Sequence, residues 1–427
     1  MNAPQQTQEM ESVRSWHLMR QEELRIEVDK DMTDGTGEIF GTELAKDRAY
    51  TFTRCKFALF SWHGCTIEVT GQCHAYVGKE TPMNAYMNVH GMLEEMRDMA
   101  ERTDKQGPRV MIVGPTDTGK SSLSRILASY AARLGRTPTV VDLDVGQGSS
   151  VPGMIASLPI EKPVDVSEGY EFATPLVYWY GDVTPGSNPD LYKLQVSNLL
   201  RDINRRMELN QAASVGGLIV NTCGWIDGVG YELIRQAIDA TRATVVLVLD
   251  NERLYSDLQQ DLSQVQDRRT QVIKLYKSGG VVTRDPNFRR QVEANANVQT
   301  RVDKIREYFY GPSGDLSPHS TLIDFADISI YRIGGGPRAP SSALPIGAER
   351  TITPTKLVEV QPSQEIVHSI IGVSHAKTPE ALLETNLAGF LYITDVNVEK
   401  KKLTVLAPCP GPLPSRFVVV GALKWYE

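Results

Sequence analysis

The chain has 427 residues, is 41% hydrophobic and carries a formal net charge of −7. That length calls for two or three domains with real cores, the charge denies any global pull toward nucleic acid, and no apolar run reaches a membrane span. Five scattered cysteines (Cys55, Cys65, Cys73, Cys223, Cys409) include no C-x-x-C pair, which argues for a reducing compartment and against a disulfide framework or a zinc site.

Residues 1–20 are polar and expected to be extended, and MNAPQQTQEMESVR holds no apolar signal segment, so no secretion is expected. From Glu22 the pattern turns to short strands. Leu24, Ile26 and Val28 alternate with polar residues, as do Phe57 and Leu59, then Ile67 and Val69, with glycines between. This predicts a small all-β domain ending near Val77. Tyr86, Val89, Leu93, Met96 and Ala100 then recur at helical spacing, predicting a helix over 84–105. Met87, Met92, Met96 and Met99 on it read as core packing.

The stretch from Arg109 to Tyr130, RVMIVGPTDTGKSSLSRILASY, organises the rest. An apolar strand runs into a loop bracketed by Gly114 and Gly119, and Lys120, Ser121 and Ser122 open a helix. That is G-x-x-x-x-G-K-S in the strand–loop–helix context of a phosphate-binding loop. Its glycines let backbone N–H groups turn around an anion, and the helix N-terminus adds partial positive charge there. Lys120, on an exposed loop, is expected to reach β- and γ-phosphates, and the Ser121 hydroxyl a Mg²⁺ position. Strands alternate with helices after it, predicting a mostly parallel sheet: strands near 139–143, 217–220, 244–249 and 272–275, helices near 191–209 and 230–240.

Asp142 and Asp144 sit two apart at a strand end, so alternation sends both to one face, where a carboxylate can hold Mg²⁺ and a second can accept a proton. Gln147 in the following VGQG turn could touch the same ligand. Thr222-Cys223-Gly224-Trp225 forms another strand-end turn, and Trp225 reads equally as core or as a base platform at a pocket rim. Arg284 to Arg306 carries six basic residues behind a Ser278-Gly279-Gly280 hinge, and reads as a cationic lid. Within it, Glu293 to Thr300 looks like a loop. No N-K-x-D element follows a late strand, so ATP is expected rather than GTP. From Gly311 onward β texture returns, with strands near 328–333, 357–360, 390–394, 403–406 and 416–422. The fold class is therefore α/β: a central P-loop NTPase domain with a mostly parallel sheet (101–310), flanked by a small N-terminal all-β domain with its linker helix (21–100) and a C-terminal β-rich domain (311–427).

In order and spacing, GPTDTGKSS, VDLDVGQGS, VNTCGWIDG, LDNERLY and SGGVV…R…FRR…IREYFYG resemble the family of polyribonucleotide 5′-hydroxyl-kinases that are also subunits of the pre-mRNA cleavage complex. The resemblance implies that Gly114, Pro115, Thr116, Asp117, Thr118, Gly119, Lys120, Ser121 and Ser122 hold ATP, with Ser121 and Asp142 at Mg²⁺. It implies that Asp144 activates the RNA 5′-hydroxyl and that Arg284 and Arg289 are lid arginines. Gln147 and the Thr222–Trp225 turn would meet the RNA end, and Glu23 and Lys56 would hold the adenosine. It further implies cleavage-factor subunits and the tRNA-splicing endonuclease complex as partners, in the nucleus, away from membranes. Fungal members of this family act as ATP-bound scaffolds without turnover, which leaves a second function class beside the kinase. One departure stands out: residues 292–300 differ from the family pattern in a way that could alter lid motion.

Overall fold

The computed structural model describes residues 13–28, 37–46, 48–52, 56–70, 73–78, 80–148, 150–171, 174–264, 270–279, 286–334 and 354–426, with 286–297 described by backbone alone. The N-terminal domain holds β1 (Val13–Leu18), β2 (Glu22–Val28), β3 (Glu38–Ile39), β4 (Thr42–Glu43), β5 (Lys56–Ser61), β6 (Cys65–Thr70) and β7 (Cys73–Gly78). They form a five-stranded sheet ordered β4-β3-β5-β2-β7 and a β1–β6 pair. Leu24, Ile39, Leu59 and Ile67 fill the space between them. Helix α1 (Met83–Thr103) leads out, burying Tyr86, Val89, Leu93 and Ala100 on one stripe. Met87, Met92 and Met96 are partly buried against the central core, but Met99 is exposed, about 100° around the helix from buried Ala100.

The central domain contains β8 (Arg109–Val113), α2 (Lys120–Arg133), β9 (Thr139–Asp142), β10 (Met154–Pro159), β11 (Leu176–Trp179), α3 (Pro189–Leu209), α4 (Gln211–Gly216), β12 (Leu218–Asn221), α5 (Val229–Thr241), β13 (Val245–Leu249), α6 (Glu252–Ser263), β14 (Gln271–Leu275) and α7 (Pro286–Tyr310). The sheet runs β11-β10-β9-β12-β8-β13-β14. Its five strands from β9 to β14 are parallel, and β10 and β11 add an antiparallel edge. Helices cover both faces, so every residue of β8, β9, β12 and β13 is buried, which is why these strands read as unbroken apolar runs. All five parallel strands end on one side, and there the phosphate loop, Asp142 and Asn221 meet.

One expectation fails here. Residues 293–300 are not a loop but lie inside α7. The segment contains no Gly or Pro after Pro286, and its Asn and Val residues cost helix only a few tenths of a kcal/mol each. Ile305 and Phe309, buried at i, i+4, anchor the helix in a cluster shared with the C-terminal domain.

That domain comprises β15 (His319–Asp324), β16 (Ser329–Ile333), β17 (Leu357–Glu359), β18 (Ser369–Ser374), β19 (Leu387–Asn397), β20 (Lys402–Ala407) and β21 (Phe417–Lys424), in the order β15-β20-β19-β18-β21-β16-β17. Trp179 of β11 packs on Phe390, centroids 4.9 Å apart, and Phe309 stacks on Trp425 at 5.7 Å. The Gly181 carbonyl accepts from Ala422 N at 2.7 Å. The N-terminal domain is held through Glu38, which accepts from Tyr130 of α2 and from Arg133 at 3.1 Å. The α/β domain between two β domains is the architecture the sequence led us to expect. No helix among the described residues is long and apolar enough to cross a membrane.

Candidate active site

The phosphate loop is shaped by close packing. Gly114 has φ 153°, and a Cβ there would sit 2.7 Å from the Leu249 carbonyl oxygen. Asp117 is left-handed at φ 59° and Gly119 at φ 90°, so the loop turns its backbone inward before α2 begins. Thr118 Oγ1 donates to the Pro115 carbonyl at 2.9 Å, and Lys120 Nζ donates to the same oxygen at 2.7 Å. Lys120 is therefore not on an exposed loop: it is 7% exposed at the start of α2. Burial pushes its pKa down, while Asp144, Cys223 and Asp117 support its charge.

Asn221 ends β12 opposite Asp142. Its Nδ2 donates to Asp142 Oδ1 at 3.1 Å and to Ser121 Oγ at 3.3 Å, and its buried Oδ1 has no hydrogen-bond partner. A hydroxyl, a carboxylate and an unsatisfied amide oxygen thus converge, the hard oxygen donors that suit Mg²⁺ beside substrate phosphates. Among the described residues no group of three His, Cys, Asp or Glu forms a metal site of its own.

Asp144 departs from the simple alternation. The strand ends at Asp142, whose Oδ1 accepts the Asp144 backbone N–H at 3.1 Å. Asp144 then caps the next turn, its Oδ1 accepting from Gly146 N at 2.9 Å and Gln147 N at 3.1 Å. Burial pushes its pKa up, the Asp142 charge adds to this, and the two N–H groups and Lys120 oppose it. A carboxyl so raised is suited to hold a proton taken from a hydroxyl.

The Thr222–Trp225 turn lies against the phosphate loop. Thr222 Oγ1 donates to the Ile112 carbonyl at 2.8 Å, and buried Cys223 has its thiol pKa raised by burial. A Cβ on Gly224 would stand 2.5 Å from Thr116 N. The Trp225 ring lies over Gly186 and Gly230 and stays 38% exposed, a rim position rather than a core one.

On the other side of α2, a cleft of about 290 Å³ separates the N-terminal domain from the phosphate loop, with Glu23, Lys56, Tyr86, Thr118 and Ser122 on its walls. Glu23 is buried and accepts from Arg25 Nε at 2.6 Å and Thr81 Oγ1 at 2.8 Å; Lys56 is exposed at its mouth. Arg284 lies outside the described residues, and Arg289 falls on α7 where only backbone is described. What α7 does bring in is Arg301. Its Nε donates to the Gly146 carbonyl at 3.0 Å, and burial lowers its pKa against the support of Asp144 and Asp182. Arg301 and Lys304 line a second cavity, about 300 Å³, with Ser121, Asp142, Gln147 and Arg125. Sequence reading placed Arg301 only within a basic run; seeing 301, 305 and 309 as one helical series would have found it.

Three family models match the chain: the N-terminal beta-sandwich domain of polyadenylation factor over residues 17–100, the P-loop of the mRNA cleavage and polyadenylation factor CLP1 over 114–311, and the pre-mRNA cleavage complex II protein Clp1 over 316–427. The chain is 47% identical over 414 residues to a CLP1 homolog of Dictyostelium discoideum, covering 95% of this chain and 88% of that one. It is 45% identical over 422 residues to the polyribonucleotide 5′-hydroxyl-kinase Clp1 of Homo sapiens, covering 96% of each. Among solved structures it is similar to Clp1p in complex with Pcf11p, with TM-score 0.77, 25% identity, and 97% and 99% of the two chains covered. A second Clp1p–Pcf11p structure, concerned with ATP loss in a point mutant, matches with TM-score 0.76 and 25% identity over 98% and 99% of the chains. With all three domains matched and near-half identity along almost the whole length, the chain belongs to the Clp1 family.

Proposed function

We propose that this chain transfers the γ-phosphoryl group of ATP to the 5′-hydroxyl end of RNA, in pre-mRNA 3′-end processing and tRNA splicing. One observation carries the reading: Lys120, Ser121, Asp142 and Asp144 converge at the carboxyl ends of the parallel strands, with Asp144 raised in pKa and Arg301 bonded beside it. Glu23 and Lys56 bind the adenosine in the N-terminal cleft. Lys120 turns from the Pro115 carbonyl to the β- and γ-phosphates, and Arg301 offers its remaining donors to the charge that develops on the transferring group. Trp225 stacks on the terminal base and aims the 5′-oxygen. Asp144 takes the hydroxyl proton as that oxygen bonds to phosphorus and the bond to ADP breaks. Ser121 and Asp142 would hold Mg²⁺, which would supply neutralisation of phosphate charge.

The test is incubation of the full chain with γ-labelled ATP and a 5′-hydroxyl oligoribonucleotide. Label at the RNA 5′ end is the expected result. Tight ATP binding with no label favours the second reading, an ATP-held assembly subunit, which draws support from the similarity to Clp1p bound to Pcf11p. In either case the proposal includes association with cleavage-factor subunits and the tRNA-splicing endonuclease complex in the nucleus, checked by co-purification from nuclear extract.

A further inference from the structure

Ser121 and Arg125 are four residues apart on α2, so they leave the same helix face about one 5.4 Å turn apart. The Arg125 guanidinium sits between two rings from different parts of the fold, 5.3 Å from the centroid of Phe40 and 5.6 Å from that of Tyr170. Its Nε is buried and has no hydrogen-bond partner, and no carboxylate pairs with it among the described residues. Aromatic faces hold a guanidinium in place without using its N–H donors. The result is a fixed cation with donors to spare, on the wall of the 300 Å³ cavity that begins at Ser121 and Asp142.

Charge along that cavity is uneven. Asp117 and Asp142 lie at the phosphate-loop end, whereas Arg125, Arg301 and Lys304 line the rest. Arg301 commits one donor to Gly146, and Lys304 bonds Glu307. A metal ion is disfavoured among three cations; a singly charged group with two free oxygens is favoured, because it accepts from the planar fork of an arginine.

We propose that Arg125 binds the first internucleotide phosphodiester of the RNA substrate, with Arg301 and Lys304 beside it, so that the site selects a polynucleotide over a nucleoside. This rests on the kinase reading above. One helical turn from Ser121 is a short step from the transferring phosphoryl group, and a phosphodiester joined to the 5′-hydroxyl through a single ribose is the substrate anion nearest to it. Among the described residues on the walls of the adenosine cleft, Arg25 is already committed to Glu23.

The test uses three 5′-hydroxyl tetraribonucleotides: all phosphodiester, a neutral methylphosphonate at the first linkage, and the same replacement at the third. With wild-type protein, neutralising the first linkage should lower kcat/KM about 10- to 100-fold, mainly through KM, the range for a hydrogen bond to a charged group; the third linkage should matter little. Arg125→Met should fall to a similar level on the unmodified oligonucleotide and lose its sensitivity to the first linkage, and Arg125→Lys should recover part of the loss. The salt dependence of log(kcat/KM) should flatten by about 0.7 in Arg125→Met, as for one lost phosphate contact on a single strand. Wild-type indifference to the first methylphosphonate overturns the proposal without any variant. So does an Arg125→Met protein that still suffers the full penalty. Absence of transfer to the unmodified oligonucleotide instead overturns the kinase reading, and this subsite with it.

Discussion

Gly224→Ala concentrates the structural argument on one methyl group. A Cβ at 224 would lie 2.5 Å from Thr116 N and 2.6 Å from Thr116 Cα, where ordinary contact begins at 3.4 Å. The shortfall is about 0.9 Å and is met by backbone on both sides, so no side-chain rotation relieves it. The Thr222–Trp225 turn and the phosphate loop must separate by about that amount. Overpacking of this kind costs about 1–3 kcal/mol, or about 2–4 °C in Tm per kcal/mol for a domain of this size. The functional cost should be larger in proportion, since a displacement of about 1 Å between reacting groups can lower a rate roughly 100-fold. Single-turnover transfer to a 5′-hydroxyl oligoribonucleotide, ATP affinity and Tm should be measured together. Gly91→Ala is the control: it sits inside α1 with nothing within 4 Å of the added atom, and should stabilise by about 0.5–1 kcal/mol with no change in rate. A Gly224→Ala protein with wild-type Tm and wild-type rate would show that the two loops are not in the contact described.

Trp225→Ala should weaken RNA binding by about 1–3 kcal/mol, one stacked base, with little change in Tm because the ring is already 38% exposed; a large fall in Tm with unchanged RNA affinity would return Trp225 to the core. Asp144→Asn should abolish turnover yet raise Tm at pH 7. The folded protein holds Asp144 at a raised pKa, chiefly through burial, so its charge costs stability above that pKa and the cost vanishes as pH falls through it. The Tm difference between the two proteins should therefore shrink on acidification, and a constant difference would refute the assignment. For the wild type, the acid limb of the single-turnover rate should lie above the ordinary aspartate value of about 3.9. Arg301→Gln should lower the rate by roughly 10³–10⁵, as for an arginine supplied to a transferring phosphoryl group, with ATP affinity nearly unchanged; equal losses in both would make Arg301 a loop strut at Gly146.

What could be read from the sequence was chemistry coded at short range. The phosphate loop is legible because glycine, lysine and serine must fall at fixed spacings between a strand and a helix, and the parallel strands because burial on both faces leaves unbroken apolar runs such as Val245–Leu249. The antiparallel edge of β10 and β11 escaped, since Ser157 and Pro159 interrupt its pattern. So did β18, whose glycine and flanking serines hide a strand buried along its whole length. β15 escaped too, since its only apolar residues, Leu322 and Ile323, are adjacent rather than alternating, and Leu322 faces outward at 65% exposure. Helix α7 was misjudged because its asparagines suggested a loop, while the contacts that fix it come from Trp425, more than a hundred residues away. Arg301 and Arg125 follow the same logic: nothing local marks either, and only the folded chain sets one beside Gly146 and the other between Phe40 and Tyr170.

Helix α7 also behaves as a lever. Its fulcrum is Ile305 and Phe309, wedged among aromatic side chains of the C-terminal domain. At 1.5 Å per residue, Arg301 stands about 12 Å along the arm from Phe309 and Pro286 about 34 Å. A tilt of roughly 10° at the fulcrum moves Arg301 by about 2 Å and the far end by about 6 Å. The first displacement is enough to break its hydrogen bond to Gly146, and the second exceeds the width of a phosphate. A partner that grips the C-terminal sheet and shifts Trp425 would thus gear a small rotation up into a larger stroke at Arg301, beside the turn that Asp144 caps.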